Sequence, residues 1–279
     1  MTAAPRERLK PVVVGALRRM SARSPALGIR AAHALAQLTR PLGRGIDQGR
    51  LASAFPELGA PARQTARQRT WENFLKEQAV EAAVMQGRYP QLAPDARLAA
   101  LRPPLVLASF HVGPLPALAP VLAQLPGDVV ALDRGQFGAL PNLQVLPGGE
   151  DTAARAIAFS RALAALRSGG FAFITIDAFH PEEFDVATIE VPLLGRTLPL
   201  ARGAFALARI AHVPLVPLVA RWRGTVVEVE LGEQIAPGPG GERALAESAA
   251  AWVESYLRAR PGEMSVFMLE RLRPPVRAR

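Results

Sequence analysis

The sequence predicts an α/β fold, a central and mostly parallel sheet flanked by helices, with N-terminal amphipathic helices ahead of it. Short, continuous apolar runs such as Pro104–Ser109 and Phe171–Ile176 have the pattern of strands buried on both faces. Between them lie longer segments with apolar residues at helical spacing, so strands alternate with helices along the chain. With 279 residues, 49% of them hydrophobic and 20% charged, the chain can bury a substantial core and is too apolar to be disordered. We divide it into a basic helical extension over residues 1–50 and an α/β domain over 51–279.

The elements follow in order. From Leu9 to Leu42 apolar residues alternate with arginines at roughly helical spacing, interrupted at Ser24-Pro25, which predicts two short basic amphipathic helices. Two readings of them stand: helices lying in a membrane interface, or ordinary helices packed on the domain with their arginines in solvent. Pro61–Gln86 is the clearest helix, with Pro61 suited to its first turn and Trp71, Phe74, Leu75, Gln78, Val84 and Met85 forming one side. Strands are expected at 104–109, 128–132, 171–176, 187–194, 214–220 and 225–231. Helices are expected at 115–125, in spite of Pro116 and Pro120, and at 151–167, 200–211 and 242–258. Asp151 suits the N-cap of the second of these helices, and Gly169-Gly170 its end.

Charge is distributed unevenly. The formal net charge is +9 and the pI about 11.2, and of 33 basic residues only Lys10 and Lys76 are lysine. Residues 1–50 hold ten basic side chains against Glu7 and Asp47, and residues 270–279 hold four arginines against Glu270. The basic charge thus sits at the two ends, which points to an anionic surface such as a membrane. No nucleic-acid partner is expected, since three Trp and two Tyr without interleaved basic residues make a poor stacking surface. No window of about 18 residues is apolar and charge-free, so no spanning helix is expected, and Val12–Leu17 lacks the context of a secretion signal. The absence of Cys excludes disulfides, thiolate metal sites and a cysteine nucleophile. No other metal-ligand spacing and no phosphate-cradling glycine motif occurs, so neither a metal nor a cofactor is expected.

Four histidines narrow the search for chemistry. His33 and His212 read as structural, and His180 follows a strand in Asp-Ala-Phe-His-Pro-Glu-Glu. His111 has the strongest case, because it stands directly after a buried run and before Val112-Gly113-Pro114, where a strand should end. A neutral imidazole there could accept a proton from a substrate hydroxyl, while Gly113 would admit close backbone approach and nearby amides could face an oxyanion. The competing reading is a histidine hydrogen-bonded to a neighbouring carbonyl.

Several segments, taken in order, resemble one family. They are Leu51-Ala52-Ser53-Ala54-Phe55-Pro56-Glu57-Leu58, the helix with Trp71, Asn73, Phe74 and Glu81, then Phe110-His111-Val112-Gly113 and Phe173-Ile174-Thr175-Ile176-Asp177. Val191-Pro192-Leu193-Leu194-Gly195-Arg196, Leu200-Ala201-Arg202-Gly203, Val213–Pro217 and Pro261–Met264 continue the series. Over about residues 50–275 the chain resembles the bacterial lipid A late acyltransferases of the lysophospholipid acyltransferase superfamily. The resemblance implies a glycerolipid acyltransferase-like fold. It also implies transfer of a fatty acyl chain from acyl carrier protein or a coenzyme A thioester to a hydroxyl of a membrane glycolipid or lysolipid, at the cytoplasmic face of the bacterial inner membrane. By the same resemblance His111 would be the base, and Gly113, Arg134, Asp177, Arg196 and Arg202 would face substrate. For Arg196 and Arg202, head-group contact and a solvated loop charge are both open readings.

The chain departs from the family where its His-x-x-x-x-Asp/Glu motif would place the acid. That position is Pro116, and no carboxylate lies between Asp95 and Asp128. Either another carboxylate serves His111, with Asp177, Glu182 and Glu183 as candidates, or the chain is an inactive relative that binds lipid or acyl carrier protein.

Overall fold

The structure, a computed structural model, describes residues 5–39, 48–93, 96–133, 140–147, 152–177 and 187–272. Helices α1 (Pro5–Arg23) and α2 (Pro25–Leu38) meet at Ser24, whose hydroxyl caps α2 by accepting the Leu27 N–H at 3.4 Å. The two helices approach so closely that a Cβ on Gly28 would fall 1.6 Å from the Ser21 hydroxyl. A short helix, α3 (Gln48–Ala54), precedes α4 (Ala60–Val84), the long helix expected from the sequence. Leu17, Ala32 and Ala36 bury themselves against Leu75 and Ala79, so α1 and α2 are docked on α4.

After α5 (Ala96–Ala100) the chain enters the sheet at β1 (Leu105–Ser109). The helix expected over 115–125 is reduced to a 3-10 turn at Leu115–Ala117 and to α6 (Leu118–Leu122). Pro116 and Pro120 each lack the N–H a longer helix would use. Then follow β2 (Val129–Asp133), β3 (Leu143–Pro147), α7 (Thr152–Arg167), β4 (Phe171–Thr175), β5 (Thr188–Leu193) and β6 (Arg196–Ala201). The chain continues through α8 (Gly203–Ala211), β7 (Leu215–Arg223), β8 (Val226–Leu231), α9 (Gly241–Ala259) and α10 (Val266–Arg271). Asp151, expected as the N-cap of α7, lies outside the described residues.

Six strands form the central sheet in the order β3-β2-β4-β1-β7-β8, parallel except for the final β7–β8 pair. Alternate residues serve opposite faces. Leu105, Leu107, Phe171, Phe173, Val216 and Leu218 pack with Val80 and Val84 of α4 and with α6. Val106, Ala108, Ala172, Ile174 and Val219 pack with α7, α8 and α9 through residues such as Ala162, Phe205 and Ala249. The result is a helix–sheet–helix sandwich whose two most deeply placed strands, β1 and β4, are buried along their whole length.

Three strands differ from expectation; one of them, β6, takes residues 196–201 and so delays to Gly203 the helix expected from 200. β3, an edge strand of mixed character, was not foreseen. The strand expected at 187–194 is β5, and it pairs antiparallel with β6 in a separate two-stranded sheet rather than joining the central one. Leu194 and Gly195, both at positive φ (53° and 69°), make the tight connection, the geometry of a two-residue hairpin turn matched to strand twist.

Candidate active site

The sheet itself brings His111 and Asp177 together. β1 and β4 are parallel neighbours, paired from Leu105 with Phe171 to Ser109 with Thr175. The Ile176 N–H continues the ladder to the Ser109 carbonyl at 2.9 Å. The constant offset of 66 residues places His111 and Asp177 side by side, each just past the carboxyl end of its strand. In open α/β sheets this is the edge where function gathers.

Asp177 is completely buried. Its carboxylate accepts the His111 backbone N–H, at 2.9 Å to Oδ1 and 3.1 Å to Oδ2, and lies 3.0 Å from the imidazole Nδ1 through Oδ1. An ionised carboxylate only accepts hydrogen bonds, so Nδ1 carries the proton and donates it. Nε2 is thereby left as a lone-pair acceptor, on a side chain that keeps 18% of its surface exposed. The Phe267 ring packs against the imidazole with centroids 4.5 Å apart, tilted by 38°. Phe267 is held there by α10, whose start is capped by Ser265 accepting the Met268 N–H at 3.0 Å, and by the bridge between Val112 and Met264.

The other sequence-derived candidates separate. Gly113 is buried at φ 64°, and a Cβ there would meet the Ala220 carbonyl oxygen at 2.1 Å. The glycine is required by close packing on β7, a demand separate from its expected role in substrate approach. Three of the amides around Gly113 are committed within the chain. The His111 amide donates to Asp177, the Val112 amide to the Phe110 carbonyl at 2.7 Å and the Leu115 amide to the Gly113 carbonyl at 2.9 Å.

Arg202 begins α8 beside the dyad, since the preceding Ala201 N–H bonds the Ile176 carbonyl. Its guanidinium, however, is ion-paired with Glu242, which Arg209 also binds at 2.8 Å. Arg202 holds the Glu242 carboxyl below the usual carboxylate range, against desolvation and with help from Arg209. Arg196, at the opposite end of β6 and about 17 Å away along the strand, bonds the Ser53 hydroxyl at 3.2 Å. The two arginines therefore do not spring from one point. Arg134, His180, Glu182 and Glu183 lie outside the described residues. Pro116 is buried in its 3-10 turn.

Among the described residues no group of three or more His, Asp or Glu side chains is placed to hold a metal ion. Nor is any described helix long and apolar enough to cross a membrane. Phe267 was not singled out from sequence, because nothing in spacing links α10 to a strand end so distant in the chain.

No protein-family model and no curated protein matches this chain. A solved structure similar to it is the crystal structure of the 1-acyl-sn-glycerophosphate (LPA) acyltransferase, PlsC, from Thermotoga maritima. That similarity runs over 70% of this chain and 84% of the other, at 12% identity and a TM-score of 0.37. Similarity at this level establishes neither family nor activity.

Proposed function

We propose that this chain is an acyltransferase of the glycerolipid acyltransferase superfamily, moving a fatty acyl chain from a thioester to a hydroxyl of a membrane lipid. The observation that carries the proposal is the imidazole of His111, held through Nδ1 by a buried carboxylate with Nε2 left as the proton acceptor. A base so oriented typically contributes 10²–10⁴-fold in rate. Nε2 takes the proton of the acceptor alcohol as its oxygen attacks the thioester carbon. The new C–O bond forms, the C–S bond breaks, and the imidazolium returns the proton to the leaving thiolate. Asp177 stays ionised throughout, fixing the tautomer and stabilising the imidazolium, as in the histidine–carboxylate pairs of hydrolases.

Pro116 on its own would favour an inactive, lipid- or carrier-binding relative. Asp177 supplies what Pro116 lacks, so we take the catalytic reading. The ordered segments in the sequence favour a lipid A late acyltransferase type, with acyl carrier protein or coenzyme A carrying the donor thioester. The basic N-terminal helices favour peripheral attachment to an anionic membrane, at the cytoplasmic face of the bacterial inner membrane.

The test is ester formation by purified protein supplied with acyl-carrier-protein or acyl-coenzyme A thioesters and lysolipid or glycolipid acceptors in vesicles. His111→Ala should abolish transfer. Asp177→Asn should lower kcat by roughly 10²–10⁴-fold, by analogy with loss of the orienting carboxylate in a serine triad. Unchanged turnover in His111→Ala would overturn the mechanism.

A further inference from the structure

The C-terminal helix lays a side chain on the base that core packing does not explain. Met268 and Leu269 are buried and anchor α10 to the core, whereas Phe267 stays half-buried and turns its ring to His111. The two ring centroids are 4.5 Å apart and the planes are tilted by 38°. Arg271, one turn further along α10, holds its guanidinium carbon 5.1 Å from the centre of the same Phe267 ring.

The segment that carries Phe267 is tied down from three sides. The Thr70 hydroxyl and the Asn73 amide of α4 both donate to the Gly262 carbonyl at 3.3 Å. A Cβ on Gly262 would stand 2.7 Å from the Cβ of Arg69, so this turn lies directly on α4. The Tyr256 hydroxyl of α9 donates to the Glu263 carboxyl, and Met264 bridges Val112, the residue after His111. Phe267 therefore reaches a base 156 positions earlier in the chain on fixed backbone.

Asp177 alone does not hold the imidazole still. Its two oxygens already accept the His111 amide, so the carboxylate stays satisfied whether or not Nδ1 donates to it. The torsion that turns a histidine ring about Cβ–Cγ has broad wells, and this side chain keeps 18% of its surface exposed. A ring that swings about that bond must bring an edge toward Phe267, and a 4.5 Å spacing, at the short end for aromatic pairs, leaves no room for it.

We propose that Phe267 is a positioning residue for the His111 base: its ring blocks rotation of the imidazole, keeping Nδ1 on Asp177 and Nε2 free to accept a proton. Its consequence for rate rests on the transfer reaction proposed above. The restraint itself is a property of the folded chain and is read without turnover.

The experiment compares the full-length wild type with Phe267→Leu, which keeps apolar bulk without a flat ring, and Phe267→Tyr, which keeps the ring. Long-range proton–nitrogen couplings of ¹⁵N-labelled protein give the shares of Nδ1–H and Nε2–H at His111. A ring released from Asp177 reverts toward the free imidazole mixture, in which Nε2–H predominates. We expect Phe267→Leu to raise the Nε2–H to Nδ1–H ratio by roughly threefold or more. Its kcat for acyl transfer should fall about tenfold while KM changes by less than about twofold. Phe267→Tyr should match the wild type in all three. Circular dichroism checks the fold, and if Phe267→Leu does not fold, Phe267→Met carries the same comparison. A ringless variant that loses stability but keeps the wild-type tautomer would show a packing role only and overturn the proposal. A shifted tautomer in Phe267→Tyr, or Nε2–H already predominant in the wild type, would overturn it too. If the wild type transfers no acyl chain, the proposed function fails, and the tautomer comparison still decides the role of Phe267.

Discussion

Asp177 makes three contacts that no substitute could reproduce together: two from the His111 amide and one from the imidazole. The histidine was legible in the sequence because it follows a buried apolar run directly. Its partner was legible only as one of three carboxylates, since pairing across parallel strands depends on which strands become neighbours, and spacing does not encode that. Gly113 illustrates the reverse, a residue whose type was noticed and whose reason was not. Its demand comes from the Ala220 carbonyl on a strand far along the chain. Gly113→Ala combines a positive φ with an overlap against backbone, which cannot swing aside as a flexible side chain would. It should lower unfolding free energy by about 2 kcal/mol or more, read by denaturant titration. A change below about 0.5 kcal/mol would show that the loop does not sit on β7 as described.

At the level of elements, the helices and buried strands were legible because their hydrophobic periodicity is strong, as in α4, β1 and β4. The β5–β6 hairpin was missed because its turn carries Leu194 at positive φ, where Asn or Asp would have signalled it. β5 does alternate in burial, the mark of a strand with one wet face, and that pattern separates it from the central sheet. The packing of α2 on α4 includes a polar tie that periodicity cannot show. Glu72 bonds Lys76 and reaches His33 on α2 at 2.9 Å. Desolvation would raise the Glu72 carboxyl, but Lys76 and His33 hold it below its ordinary 4.5. Because the folded-state value lies below the unfolded one, this stabilisation is present above pH 4.5 and is lost as pH falls through the folded value. Thermal unfolding should therefore show the wild type losing more stability than Glu72→Gln on acidification from about pH 5 to about pH 3. At neutral pH the variant, which leaves the Lys76 ammonium buried without its partner, should be less stable by about 3 kcal/mol. Parallel acid profiles would refute the tie.

Across the whole molecule, strand order decides where chemistry can happen. β1 and β4 lie at the middle of the six-stranded sheet, and the chain leaves β1 toward β2 but leaves β4 toward β7. The two connections leave for opposite faces of the sheet, through α6 and α8, and His111 and Asp177 stand at the carboxyl ends where they part, the edge at which ligands bind in open α/β sheets. α10 closes one side with Phe267. The class of the fold was legible from alternating strand and helix patterns. The strand order was not, because it is set by which apolar faces of distant segments fit, and the site depends on it. The most direct measurement is the tautomer of His111 in the folded protein, read from long-range proton–nitrogen couplings of the ¹⁵N-labelled chain at neutral pH. A proton on Nδ1 and a bare Nε2 is the predicted result; a proton on Nε2 would contradict the account, since the ring could then neither donate to Asp177 nor take a proton from an alcohol.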